Sequence, residues 1–187
     1  MSFPLPYFSE SGYELFYGHD GDAGLDLPIW DARLTKRYKE LEESGDFSKD
    51  ELEELEFSIT MDREEMMKDV EITLQPRESI TVKTGIYMKI PENNFGFLDT
   101  RSSTSKIKLD LLCRTIDEPY TGNLRLALIN LNEVPVTIKQ SQCVAQIIIM
   151  PYTKTEPAKH VNLKDFLAAA GETTRGNKGF GSTGRNV

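Results

Sequence analysis

From residue 70 onward the chain is cut into short stretches of alternating apolar and polar residues, closed by glycine, proline or asparagine. A period of two sends successive side chains to opposite sides of an extended strand, a pattern that no helix can use. In EITLQPRESITVKTGIYMKIP, Ile80, Val82, Ile86, Met88 and Ile90 share one face, and Lys83, Tyr87 and Lys89 the other. FGFLDT, NLRLALINL, VPVTIK and CVAQIIIMPY follow, punctuated by QPRE, PENN, PYTGN and NEVP. Short strands at this spacing predict an all-β sandwich or barrel.

Residues 33–69 break the pattern. ARLTKRYKELEES sets Leu34, Tyr38 and Leu41 on one helical face, and SKDELEELEF opens with a capping box, Ser48 with Glu51, ahead of Leu52 and Leu55. The stretch holds seven Lys or Arg against thirteen Asp or Glu, so it supplies −6 of the chain's net charge of −8. It reads as an acidic helical insertion in one β domain spanning 1–187. Its role is either a solvated cover on the sheet or a docking surface for a protein partner. Near the end, NLKDFLAAAG predicts a short helix with Asn162 as N-cap and Gly171 just past its end.

At 187 residues the chain suits one domain with a real core. Its acidic balance disfavours a broad nucleic-acid face. No apolar run is long enough to cross a bilayer, and the first residues read as no signal peptide, so the expectation is a soluble, intracellular, cytoplasmic protein. Cys113 and Cys143 stand outside any CxxC pair among apolar neighbours and are expected as buried, reduced thiols. His19 and His160 are isolated, with no metal-ligand spacing; His19 is expected at the surface.

Five stretches carry chemistry. AGLDL holds Asp26 between apolar residues, where a strand would turn it away from Leu25 and Leu27, toward solvent or a metal-bound water. TRSSTSK follows a strand with Arg101, a run of hydroxyls including Ser102 and Ser103, and a lysine: an anion site, or a Ser/Thr-rich turn. TIDEPYTGN sets Asp117 three residues before Tyr120 at a hairpin, a general base beside a ring, or an Asx turn beside a surface tyrosine. QCVAQI places Gln146 in an apolar strand, where a buried amide needs a partner. TRGNKGFGSTG offers glycines whose N–H groups can converge on an anion, with Arg175, Ser182 and Thr183 beside them, or a loose tail. It lacks the lysine before Ser182 and the following helix that a Walker loop needs.

In this order the five stretches resemble the motif series of the homotrimeric all-β dUTPases, over about Asp22 to Gly184 apart from the insertion. The resemblance implies a distorted jelly-roll or β-barrel, three subunits sharing three active sites, and a mobile C-terminal arm, here 172–187, closing as a lid. It implies hydrolysis of dUTP to dUMP and pyrophosphate with Mg²⁺. Asp117 would activate the attacking water and Tyr120 would lie under the deoxyribose. Arg101, Ser102, Ser103, Gln146, Arg175, Gly181, Ser182 and Thr183 would hold the substrate, mainly its phosphates. Asp26 would reach Mg²⁺ through water, and Phe180 would stack on the base.

Two departures stand out. The second motif reads Thr100-Arg101-Ser102-Ser103 where the family usually has Pro-Arg-Ser-Gly. Leu111 and Arg114 stand before Asp117, where the family commonly has a small or amide residue and a glycine. In that family this turn reads the base, so dCTP or a 5-substituted deoxypyrimidine triphosphate stays open as the substrate. The related dCTP deaminases place a glutamate in the following strand; here the residue is Ala127, which argues against deamination.

Overall fold

The computed structural model describes residues 4–31, 40–46, 48, 51 and 70–171. The chain divides into two compact units, Met1–Thr153 and Lys154–Val187.

The first unit is built from β1 (Tyr7–Ser9), β2 (Leu25–Pro28), β3 (Glu71–Leu74), β4 (Ser79–Lys83), β5 (Ile86–Met88) and β6 (Asn94–Thr100). A short helix α1 (Ser102–Lys106) follows, then β7 (Leu109–Leu111), β8 (Thr115–Ile116), β9 (Arg125–Asn130), β10 (Val136–Lys139) and β11 (Cys143–Pro151). Every pairing is antiparallel, in sheets ordered β1-β5, β10-β3, β2-β11-β6-β8 and β4-β9-β7. Neighbours far apart in sequence pair throughout, as a jelly-roll-like fold requires.

The alternation seen in the sequence is the burial pattern. Val82, Ile86, Met88 and Ile90 are buried and Ile80 packs against them, while Lys83, Tyr87 and Lys89 face outward or half outward. Leu124, Leu126 and Leu128 meet them from β9 and the residue before it, and Leu27, Leu98 and Ile147 complete the centre. Among the buried polar groups, Asn130 Nδ2 donates to the carbonyls of Leu74, Gln75 and Val134 at 3.0–3.1 Å. Gly85 adopts a φ of +70°, and a Cβ there would stand 2.7 Å from the Trp30 ring, so this turn admits only glycine.

Residues 40–44 are helical, and the capping box expected of Ser48 and Glu51 forms. The Ser48 amide and hydroxyl donate to Glu51 Oε2 at 2.8 and 2.7 Å, and the Glu51 amide donates back to Ser48 Oγ at 3.3 Å. Leu34, Tyr38, Leu52 and Leu55, and so most of the 33–69 insertion, lie outside the described residues.

In the second unit, α2 (Leu163–Ala170) starts and stops as its sequence predicts. The Asn162 side chain accepts from the Asp165 amide at 3.0 Å, and Gly171 ends the helix with a φ of +71°. No helix among the described residues is long and apolar enough to cross a membrane.

Candidate active site

The site begins at the centre of the largest sheet. In the β2-β11-β6 ladder, Gln146 is paired with Asp26 on one side and Asp99 on the other. Direct partners across an antiparallel ladder share a face, so these three polar side chains rise together on one face of the sheet. Asp26 is buried at 6% exposure, not turned to solvent, because the chain that follows β6 lays Arg101 over it. Arg101 Nε stands 3.0 Å from Asp26 Oδ1, and its Nη1 donates to the Cys143 carbonyl at 3.2 Å.

Arg101 is also the N-cap of α1, in extended conformation, and the chain turns helical at Ser102. Ser102 and Ser103 therefore occupy the first turn, and Thr100 Oγ1 and Ser105 Oγ meet at 2.8 Å to close the corner. Asp26, Arg101, Ser102, Ser103 and Gln146 line one cavity of about 430 Å³. Its other wall is the loop from Gly18 to Gly24, closed at its base by a bridge between Tyr17 and Leu25. Gly24 lies against Gln146 so closely that a Cβ would stand 2.3 Å from Oε1. Gln146 is half-buried, and the space that its own strand leaves on this side is the cavity.

Behind Arg101, Tyr13 Oη and Cys143 Sγ stand 3.3 Å apart. Burial raises the Tyr13 hydroxyl's pKa well above the usual tyrosine range, and the contact with Cys143 adds to it. Burial likewise raises the Cys143 thiol, offset in part by the bond to Tyr13. Both cysteines are free, yet neither is the buried core thiol that its apolar neighbours suggested. Cys113 is exposed because it follows β7 into a bend, and Cys143 is half-buried because it opens β11 at the cavity's back.

Asp117 and Tyr120 stand apart from that cavity's lining. The Tyr120 amide donates to the Asp117 carbonyl at 3.0 Å in a tight turn, and both side chains are exposed. This turn does not join two paired strands. β8 pairs with β6, whereas β9 pairs with β4 and β7, so the segment crosses between sheets instead of closing the expected hairpin. Tyr120 Oη donates to the Asn123 carbonyl at 2.7 Å, and its ring packs over Gly122, where a Cβ would stand 2.7 Å from Oη.

Arg114 turns inward. Its guanidinium donates to Asp99 Oδ1 at 2.6 Å and pairs with Asp110, and its backbone carbonyl accepts from the Leu98 amide at 2.7 Å. One side chain thus ties the segment before Asp117 to both β6 and β7.

A family model described as dUTPase matches residues 66–184. The chain belongs to the dUTPase family. Among relatives, the deoxyuridine 5'-triphosphate nucleotidohydrolase of Clostridium kluyveri is 30% identical over 172 residues, 90% of this chain and 88% of that protein. The protein of the same name from Rhizobium leguminosarum bv. trifolii is 37% identical over 117 residues, 60% of this chain and 70% of its own. The fold agrees with solved dUTPases. A variant of the Staphylococcus bacteriophage 80alpha dUTPase, solved with dUpNHpp, superposes with a TM-score of 0.66 at 19% identity, covering 97% of this chain and 99% of that one. The EIAV dUTPase gives 0.55 at 19% identity, over 86% and 100%.

The dUTPases are enzymes of the dUTP diphosphatase type, and three of the five motifs expected from the sequence meet in one cavity here: Asp26, the Arg101–Ser103 run and Gln146. Asp117 and Tyr120 of the third motif are not among the residues lining it. The fifth, with Arg175, Phe180, Gly181, Ser182 and Thr183, lies with the whole 172–187 arm outside the described residues. Sequence reasoning missed the loop before Asp26, where His19 and Asp22 also line the cavity. The one available signal was the pair of glycines, Gly18 and Gly24, bracketing polar residues ahead of a strand.

Proposed function

We propose that this protein hydrolyses dUTP to dUMP and pyrophosphate, by attack of a water on the α-phosphorus. The observation that carries this reading is the convergence of Arg101, Ser102, Ser103 and Gln146 on one cavity beside the buried Asp26. A guanidinium, hydroxyls, an amide and the amides of a first helical turn are the donors a polyphosphate needs.

Asp117 acts as the base. Its exposed side chain can take the proton of a water as it attacks. Tyr120, pinned through Oη to the turn at Asn123, presents a ring face that packs on the deoxyribose. In this reading the complete site is shared between subunits of a homotrimer, which brings Asp117 of one subunit to the cavity of another. The arm 172–187 adds Arg175, Gly181, Ser182 and Thr183 to the phosphates and Phe180 to the base.

The donor set fits Mg²⁺ only as an ion carried by the substrate. Among the described residues no group of three or more His, Cys, Asp or Glu could hold a metal. Asp26 would hold it through water, an arrangement Mg²⁺ accepts readily since it keeps part of its hydration shell. When bound, the ion supplies charge neutralisation across the phosphates.

Arg114 bears on the choice of base. Its guanidinium is engaged by Asp99 and Asp110, so it serves to hold the segment and not to reach for a base. This favours uracil, read by backbone groups, over dCTP or a 5-substituted base. The same reading gives the acidic 33–69 stretch a protein partner and sets the activity in the cytoplasm. Pyrophosphate release measured across dUTP, dCTP and dTTP with Mg²⁺ tests the reading. Release from dUTP is expected; greater release from dCTP sinks the base assignment, and none from any of them sinks the enzyme.

A further inference from the structure

The cavity has a wall that this mechanism leaves unused. The loop between Tyr17 and Leu25 carries His19 and Asp22 into the same lining as Arg101 and Gln146. Its conformation is tightly specified. The His19 amide donates to Asp22 Oδ2 at 2.8 Å, and the Asp22 amide donates back to the His19 carbonyl at 3.2 Å. Gly18 makes room for that carboxylate, since a Cβ there would stand 3.0 Å from Asp22 Oδ2. The same Oδ2 stands 3.4 Å from His19 Nδ1, with the imidazole 89% exposed.

Two carboxylates in the cavity wall each hold one donor side chain: Asp26 holds Arg101, and Asp22 holds His19. With Nδ1 turned to Asp22, Nε2 is the nitrogen a ligand meets. An imidazole carrying both protons donates to a carboxylate through one and to a phosphate oxygen through the other. The balance of charge asks for such a donor. Asp22 and Asp26 offset Arg101, whereas a nucleoside triphosphate brings several negative charges into the same space.

We propose that His19 is a phosphate-binding residue, donating through Nε2 to the terminal phosphates of a nucleoside triphosphate held by Arg101, Ser102 and Gln146, with Asp22 orienting it. This rests on reading the cavity as a polyphosphate site. It assigns the Gly18–Gly24 loop to the phosphates and away from the base.

Calorimetric titration of the full chain tests it, with inorganic pyrophosphate, a non-hydrolysable imido analogue of dUTP, and dUMP as probes. His19→Ala is expected to weaken pyrophosphate and the imido analogue by about tenfold, the worth of one hydrogen bond to a charged group, and to leave dUMP unchanged. Asp22→Asn is expected to weaken the same two probes. Pyrophosphate binding within twofold of the unaltered chain in His19→Ala overturns the proposal. So does equal weakening of dUMP, which would report a disturbed loop, or no pyrophosphate binding by the unaltered chain. A chain that binds pyrophosphate through His19 yet neither binds the imido analogue nor hydrolyses dUTP refutes the proposed reaction alone.

Discussion

Arg101 is held at both edges of its guanidinium, by Asp26 at 3.0 Å through Nε and by the Cys143 carbonyl at 3.2 Å through Nη1. The planar fork is what lets one side chain meet both acceptors and still face the cavity. A lysine has a single head and cannot reproduce it. Arg101→Lys is expected to fold but to lose about 100-fold in pyrophosphate release. Arg101→Ala, which strands a buried carboxylate, is expected to lose about 1–3 kcal/mol as well, read from urea denaturation.

Asp117 makes the opposite prediction. Its side chain is exposed, and its structural contribution is a backbone carbonyl that accepts from Tyr120, which no side-chain change removes. Asp117→Asn is expected to leave the denaturation midpoint within about 0.5 kcal/mol of the unaltered chain. Turnover should fall by about 10²- to 10⁴-fold, as for loss of a general base. Retained turnover would remove Asp117 from the mechanism.

What the sequence made legible followed from periodicity and local chemistry. Ile86, Met88 and Ile90 alternate because one face is core, and Asn162 and Gly171 mark helix ends through bonds that span only a few residues. What it hid depends on contacts across the fold. Asp26 looked free to face solvent because nothing local shows that Arg101, 75 positions on, would cover it. The crossing at Asp117–Tyr120 looked like a hairpin because strand partners, not turn residues, decide which sheet a strand joins. His19 looked isolated because its partner Asp22 acquires meaning only once Gly24 brings the loop against Gln146.

Gly24 is a close-approach glycine, required for space and not for a left-handed turn. An added Cβ would lie 2.3 Å from Gln146 Oε1, 2.8 Å from Cδ and 3.0 Å from Cβ, so the Gln146 side chain cannot escape by moving its tip alone. Gly24→Ala is expected to displace Gln146 from the cavity and to raise the KM for dUTP about tenfold or more. A destabilisation of about 1–3 kcal/mol should accompany it. An unchanged KM would show that Gln146 does not hold substrate.

Arg114 replaces the glycine common in this family with a clamp between Asp99 and Asp110. Arg114→Gly restores the usual residue but removes the clamp and frees the backbone, so about 1–2 kcal/mol of stability should be lost. If the clamp serves only to hold the segment before Asp117, the ratio of dUTP to dCTP hydrolysis should stay the same while both rates fall. A changed ratio would mean that Arg114 takes part in reading the base.

Cys143 reports on the back of the site. Burial raises its thiol above the usual range, and the bond to Tyr13 pulls it part of the way back. The thiolate is the reactive form, so at a given alkaline pH less of it is present than on an ordinary exposed thiol. In a Cys113→Ser background, alkylation by iodoacetamide should therefore begin at higher pH than for a free cysteine. Tyr13→Phe removes the contact that lowers the thiol and should move that onset higher still. The linkage to folding has the same sign. A group whose pKa is raised on folding contributes stability below its unfolded pKa, and loses it as pH climbs through the folded value. Alkaline destabilisation should accordingly be reduced in Cys143→Ala, followed by denaturation at increasing pH. An onset for Cys143 at or below that of a free thiol would contradict the burial that places it behind Arg101.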